Sequence, residues 1–368
     1  MINFSPMKFT RKGIIIVILL VLCFLLHLYS MSESRVENGY SNGIFIHISS
    51  FLRLVTGFFP FSIGDILYGF LGGWLIWQLV KFFKKLFKKE DNSTKKAFYK
   101  EVFYRILVFC CCIYIIFNSL WGINYSRKGI GYQVGLEKSN YSNTELADIN
   151  RLLCDKINKS KSILDSQQAS YPSNQQLYSM VSDAYRKLGI GYPFLKYEPV
   201  SIKSSMWGWL GNYTGFTGYY NPFTGEAQLN TTIPRFLQPF IACHEVAHQL
   251  GYAKENEASF VGFLAAKGSG NALLQYSTYL DIFMHANRNL FFTDSVEAKV
   301  YRNALSPAVI ADLKIWAAFN RSHRSFVEPI ISWIYDKYLR GNRQPGGLLS
   351  YDEVTGFVIS YYKKYGEI

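Results

Sequence analysis

His244-Glu245-Val246-Ala247-His248 decides the reading of this chain. Two imidazoles four residues apart on a helix project from one face and can grip a single metal ion, while the carboxylate between them is turned aside. The flanks support a helix, since Pro239 suits a first turn and Gly251 suits the position just past the last. His244 and His248 are therefore expected as ligands and Glu245 as the general base of a hydrolytic centre. Zn2+ is the ion that such a donor set favours. The blander reading, a helix with two unrelated histidines, has to contend with only six histidines in 368 residues.

A catalytic zinc takes three protein ligands and keeps one position open. The next helical stretch opens at Glu255-Asn256-Glu257-Ala258-Ser259-Phe260 and continues to Ala266, with Gly251 turning the chain between the two helices. Such a turn folds a carboxylate back over the histidine pair. Glu255 is favoured because Ser259 lies four residues on along its face, placed for a hydrogen bond to a ligand. Glu257, with the apolar Val261 at that offset, is the alternative, and the glutamate not used suits a first helical turn in any case. Cys243 adjoins His244 but is turned away from the histidine face and is expected in the core. Donors to an oxyanion are sought among Tyr335, Tyr351, His285 and Asn342, which nothing in the sequence ranks.

HEVAHQLGYAKENEASF (244–260) resembles the gluzincin type of zincin metallopeptidase, with its His-Glu-x-x-His helix and downstream glutamate helix. Its Glu-x-x-Ala-Ser-Phe segment is similar to a pattern in CAAX-protease-like and ImmA-like families, which carries the zinc ligand onto Glu255; Ser259 stands where those families usually have Asp or Asn. Over nearly its full length the chain resembles the DUF3810 membrane proteins typical of Bacteroidetes. Pro60-Phe61-Ser62-Ile63-Gly64-Asp65, Trp121-Gly122-Ile123-Asn124-Tyr125 and Gly218-Tyr219-Tyr220-Asn221-Pro222-Phe223-Thr224-Gly225-Glu226-Ala227 carry that likeness. It implies membrane attachment and a peptidase domain, and no particular substrate.

Around this centre the chain divides into a membrane domain, 1–123, and a zincin-like domain, 124–368. Apolar runs at about 13–31, 63–83 and 106–121 have the length and composition of spans. The stretch 44–61 is interrupted by His47, Ser49, Ser50 and Arg53 and reads as an interfacial or re-entrant helix. Much of the formal charge of +13 is local, in a basic loop at 81–105 (Lys81, Lys84, Lys85, Lys88, Lys89, Lys95, Lys96, Lys100 and Arg105) and in Lys8, Arg11 and Lys12. Basic segments beside spans stay in the cytoplasm, which places the N-terminus there and everything after Asn124 outside an inner membrane. That location of the charge points to lipid rather than nucleic acid, for which no module is present.

The expected fold is α+β and mainly α. Leu146, Ile149, Leu152, Leu153 and Ile157 mark one amphipathic helix, and Gln175–Leu188 another, ended by Gly189. A hairpin is expected from 218–222 and 226–230 about Phe223-Thr224-Gly225. Cys154 and Cys243 are the two cysteines outside the spans, and their pairing is not legible. The functional expectation is a membrane-anchored zinc peptidase acting on a peptide or protein, with oligomeric state unread. A silent metal-binding protein and a membrane scaffold or transporter are the alternatives. The first has no need of Glu245, and the spans lack the central charges of a transport path.

Overall fold

The computed structural model of the chain describes residues 10–88, 91–136, 140–168 and 170–368. Lys8 and Lys89 of the basic segments lie outside these. Among the described residues three helices are long and apolar enough to cross a membrane: α1 (Arg11–Ser30) and, after the shorter α2 (Phe45–Gly57), α3 (Ile63–Leu86) and α4 (Asn92–Leu120). They coincide with the three expected spans. Lys12 pairs with Glu101, and the Cys23 thiol reaches the Cys111 carbonyl at 3.9 Å, so α1 runs parallel to α4. Trp74 meets Phe109 and Phe82 meets Phe98, so α3 runs antiparallel to both. Ser30, Ile63 and Leu120 therefore share one end of the bundle.

Most described residues of the basic stretch 81–105 are helical, where a loop is expected. Helix α3 continues to Leu86, and α4 begins at Asn92, where the Asp91 carboxylate accepts from the Thr94 amide at 3.3 Å. Lysine and arginine are good helix formers, and Lys84 and Lys85 occupy the last turn of α3, where the helix dipole favours cations.

Helix α2, at 13 residues, is too short to cross a bilayer. Its polarity is inverted. Ser49, Arg53 and Thr56 face inward, while Ile46, Phe51, Leu54 and Val55 face out. The inward groups bond residues far along the chain: Ser49 Oγ donates to the Gln249 carbonyl (2.6 Å), and Thr56 Oγ1 meets Ser201 Oγ (2.9 Å). A π-helical segment, Val36–Ile44, precedes it and buries Val36, Glu37, Tyr40 and Ser41. Residues on either side of position 124 thus share one packed unit at this end of the spans.

Beyond the spans lie α5 (Asn143–Gln167), α6 (Asn174–Gly191), α7 (Gly208–Thr214), α8 (Gln238–Gln249), α9 (Glu255–Gly268) and α10 (Ala272–Thr293). They are followed by α11 (Ser295–Asn303), α12 (Pro307–Ser322), α13 (Glu328–Gly341) and α14 (Val354–Tyr365). Helix α5 buries Leu146, Ile149, Leu153 and Ile157 as its spacing demands. Gly189 does not end α6. The helix runs on to Gly191 and stops at Tyr192, because the residue before Pro193 is driven out of helical geometry.

Among the described residues the sheet has three strands, β1 (Ile202–Ser204), β2 (Gly218–Asn221) and β3 (Glu226–Leu229), in the order β1-β3-β2. Strands β2 and β3 form the expected hairpin, pairing Gly218 with Leu229 and Asn221 with Glu226, and Gly225 turns it at φ +69°. Strand β1, outside the expected hairpin, pairs parallel with β3. The sheet caps a span: the buried Glu226 carboxylate accepts from the Ile63 and Gly64 amides at 3.0 and 2.5 Å, where the positive end of the α3 dipole favours an anion. Chain class and architecture are α+β, mainly α.

Candidate metal centre

Helix α8 is buried almost end to end, so its two histidines sit inside the protein rather than on a surface. Gly251, at φ +87°, reverses the chain after His248 and returns it as α9. That return brings Glu255 under both rings: its Oε2 lies 3.1 Å from His244 Nε2 and 3.4 Å from His248 Nε2. One ligand atom from each of His244, His248 and Glu255 falls within 4.8 Å of the others, and this is the one such group among the described residues.

The remaining ring nitrogens are taken. His248 Nδ1 lies 2.7 Å from the Tyr252 carbonyl, and His244 Nδ1 lies 3.1 Å from Ser259 Oγ. A carbonyl only accepts, so His248 carries a proton on Nδ1, and Nε2 is the nitrogen turned toward Glu255. Trp121, closing span α4, donates from Nε1 to the His248 carbonyl at 3.1 Å. Glu255 is braced as well: its amide donates to Gln344 Oε1 (3.0 Å), and its Oε1 accepts from the Tyr335 hydroxyl (2.8 Å).

Burial opposes charge on Glu255, yet His248 and His244 hold its carboxyl well below the usual range. Burial likewise opposes a charged His248, and Glu255 overcomes it and raises the ring to about 9. His244 is lowered, burial outweighing the pull of Glu255. Two imidazoles and one carboxylate in a buried cluster attract a positive charge, and their nitrogen and oxygen donors fit a divalent metal ion.

Glu245 lies beside the cluster and outside it. Burial pushes its carboxyl up to about 8, with His248 opposing the rise and Glu255 adding to it. Its Oε2 is buried with no hydrogen-bond partner among the described residues. The other oxygen faces the start of β2, where a Cβ built on Gly218 would come 2.8 Å from it. A cleft of about 360 Å3 opens there, lined by His244, Glu245, Thr217, Gly218, His285 and Tyr335 among others.

Glu257 is not part of the metal group. It accepts from Lys254 Nζ at 3.1 Å and lies over Gly129, two residues on from Glu255 and so turned to a different side of α9. Ser259 bonds His244 rather than the glutamate on its own face. Of the four sought donors, Tyr335 and Tyr351 are at the centre. Their hydroxyls are 3.4 Å apart, and the Tyr351 ring stacks on His244 at 6.2 Å. Burial and the Glu255 charge hold both phenols well above their ordinary value, so each keeps a proton to donate. His285 lines the cleft but is held by Asp352 at 2.7 Å, and Asn342 sits away from it, bonding the Tyr338 carbonyl of its own helix at 2.8 Å. Cys243 is in the core with its thiol pushed up to about 12 by burial, and both it and Cys154 are free.

The bracing roles of Tyr252, Trp121, Gln344 and Tyr335 are not legible in the sequence, although Tyr335 is among the expected donors. Trp121, Gln344 and Tyr335 lie 80 or more residues from their partners in the chain, and Tyr252 acts through a backbone atom that any residue has. No curated protein and no solved structure matches the chain. A family described as "Protein of unknown function (DUF3810)" matches residues 40–359, which include every residue of the centre, and the chain belongs to that family.

Proposed function

We propose that the protein is a membrane-held zinc peptidase that hydrolyses peptide bonds at His244, His248 and Glu255. The observation that carries this reading is a triad able to hold a metal ion with a buried carboxylate, Glu245, beside it whose Oε2 has no partner among the described residues. A purely structural site has no use for that fourth group. Zinc held there supplies Lewis acidity that polarises a scissile carbonyl and lets water lose a proton near neutral pH. Glu245 accepts the proton, which its raised affinity suits, and delivers it to the departing amine. The Tyr351 hydroxyl, kept protonated, is the donor for the oxygen that gains charge, while Tyr335 holds Glu255. Strand β2 leaves one edge of the sheet unpaired beside Glu245, where an extended peptide can bond backbone to backbone.

The spans place this centre at the end of the bundle away from the basic residues. With those residues cytoplasmic, the centre faces outward from an inner membrane. Metal analysis of the purified full-length protein, together with comparison of peptide termini in cells carrying wild type or Glu245→Gln, tests the proposal. Zinc near one per chain in both proteins, with termini lost only in the variant, is the expected result. Absence of bound zinc, or identical termini, overturns it.

A further inference from the structure

We propose that α7 and α13 are seated in the bilayer leaflet where the spans emerge, so that the metal cleft opens at the membrane and takes polypeptide itself held there. The substrate half of this rests on the peptidase reading; the seating does not.

The first turn of α3 is inside the protein, with Gly64 and Asp65 buried, and its exposed apolar surface starts at Ile66. The Trp207 ring lies against Gly69, where an added Cβ would be 3.3 Å from it, and Trp207 Nε1 donates to the Asp65 carbonyl at 3.0 Å. Gly69 is six residues into α3, about 9 Å along the helix at 1.5 Å per residue. The chain entering α7 is thus already alongside the span, below the level at which α3 leaves the folded domain. From there α7 exposes Trp209 (56%), Leu210 (45%) and Tyr213 (41%).

Helix α13 reaches the other two spans. Its Tyr338 ring packs on Phe117 of α4 at 6.4 Å, and Arg343, just past its end, donates to the Ser30 carbonyl that closes α1 at 2.9 Å. Ile330, Trp333 and Ile334 form an exposed apolar stripe at helical spacing, Trp333 at 63%. Lys337 folds its ammonium toward the Trp333 ring, 6.0 Å from the centroid. Tryptophan backed by lysine is the pairing expected at a headgroup boundary.

The two helices are tied where Ser325 Oγ donates to the Tyr213 carbonyl at 2.6 Å. The opposite face of α13 lends Ile331, Ser332 and Tyr335 to the cleft, and the chain leaving α7 forms its rim at Thr214–Gly218. One layer of helix therefore has the metal cleft on one side and an aromatic surface on the other, continuous with all three spans. Lipid is the occupant that continuity selects, since the exposed Ile66 and Phe70 beside it belong to α3, a helix long and apolar enough to cross a membrane.

The test uses full-length protein in vesicles of phosphatidylethanolamine and phosphatidylglycerol, with or without brominated acyl chains. Emission lost on Trp209→Phe/Trp333→Phe substitution is isolated by difference from wild type. We expect most of that difference emission to vanish in brominated vesicles and to resist aqueous iodide. Quenching by iodide but not by bromine overturns the seating, and shielding from both does so too, since a protein partner then covers the face. A second arm presents one peptide sequence either free or joined to a membrane helix in the same vesicles. Cleavage about 10- to 100-fold faster when membrane-held is expected from effective concentration. Equal rates overturn the substrate class. If neither peptide is cut, the peptidase reading fails, and the quenching result still decides the seating.

Discussion

Replacing Arg127 by methionine removes the link between the segment ahead of the second span and the metal centre. Arg127 is buried, and its Nε and NH2 groups donate to Glu37 Oε2 and Oε1 at 3.2 and 2.9 Å. Its NH1 donates to the Gly251 carbonyl at 3.2 Å, and the guanidinium lies over the Tyr252 ring at 4.6 Å. Tyr252 in turn supplies the carbonyl that orients His248. Removing one partner of a buried ion pair costs about 3–5 kcal/mol, because the other is left charged and dry. Glu37 retains the Lys128 amide (3.0 Å) and Gln133 Nε2 (2.9 Å), so the lower end, about 3 kcal/mol, applies. For a folded unit of this size that is a fall in Tm of roughly 6–12 °C. Loss of an orienting contact behind a ligand lowers metal affinity about 10- to 100-fold. Thermal unfolding in detergent and zinc titration of the same preparation read both effects. Adding Glu37→Gln should recover part of the lost stability by removing the stranded charge. A Tm within about 2 °C of wild type, with unchanged zinc affinity, would refute the argument that this pair braces the centre.

Glu255→Gln should abolish stoichiometric zinc binding, whereas Glu257→Gln should leave it intact; plasma emission analysis of the two purified proteins decides between the glutamates. Gly218→Ala places a methyl 2.8 Å from Glu245 Oε1 and 3.0 Å from the Gln228 carbonyl, so peptide cleavage should fall at least about tenfold with zinc content unchanged. For His285, burial opposes the charged ring, but Asp281 and Asp352 overcome it and raise the group from 6.5 to about 9. A raised value stabilises the folded state fully below about pH 6.5 and loses that contribution, at most about 3 kcal/mol, as pH climbs to 9. Denaturant unfolding of wild type between these limits should show the decline, and His285→Gln should flatten it.

The parts legible in the chain are those governed by local periodicity. Four-residue spacing alone puts His244 and His248 on one face, and apolar runs of bilayer length alone mark the spans, because helix geometry repeats within a few residues. The Gly225 hairpin is legible for the same reason, since its turn and both strands lie within a dozen residues. Where local rules compete, the chain offers two answers. Gly189 suggested a helix end, but Pro193 prevailed; the lysines at 81–105 suggested a loop, but they favour helix as readily as solvent.

What tertiary structure decided is how distant groups share one enclosed space. Whether Glu255 or Glu257 meets the rings depends on the angle at which α9 returns over α8, a matter of packing that spacing does not encode. The orientation of His248 by the Tyr252 carbonyl, the bracing of Glu255 by Tyr335 and Gln344, and the inward polarity of α2 all arise from contacts far apart in sequence or through backbone atoms. Burial then sets the chemistry. Glu245 is an ordinary carboxylate on paper, and only its removal from water, close to the Glu255 charge, raises its hold on a proton.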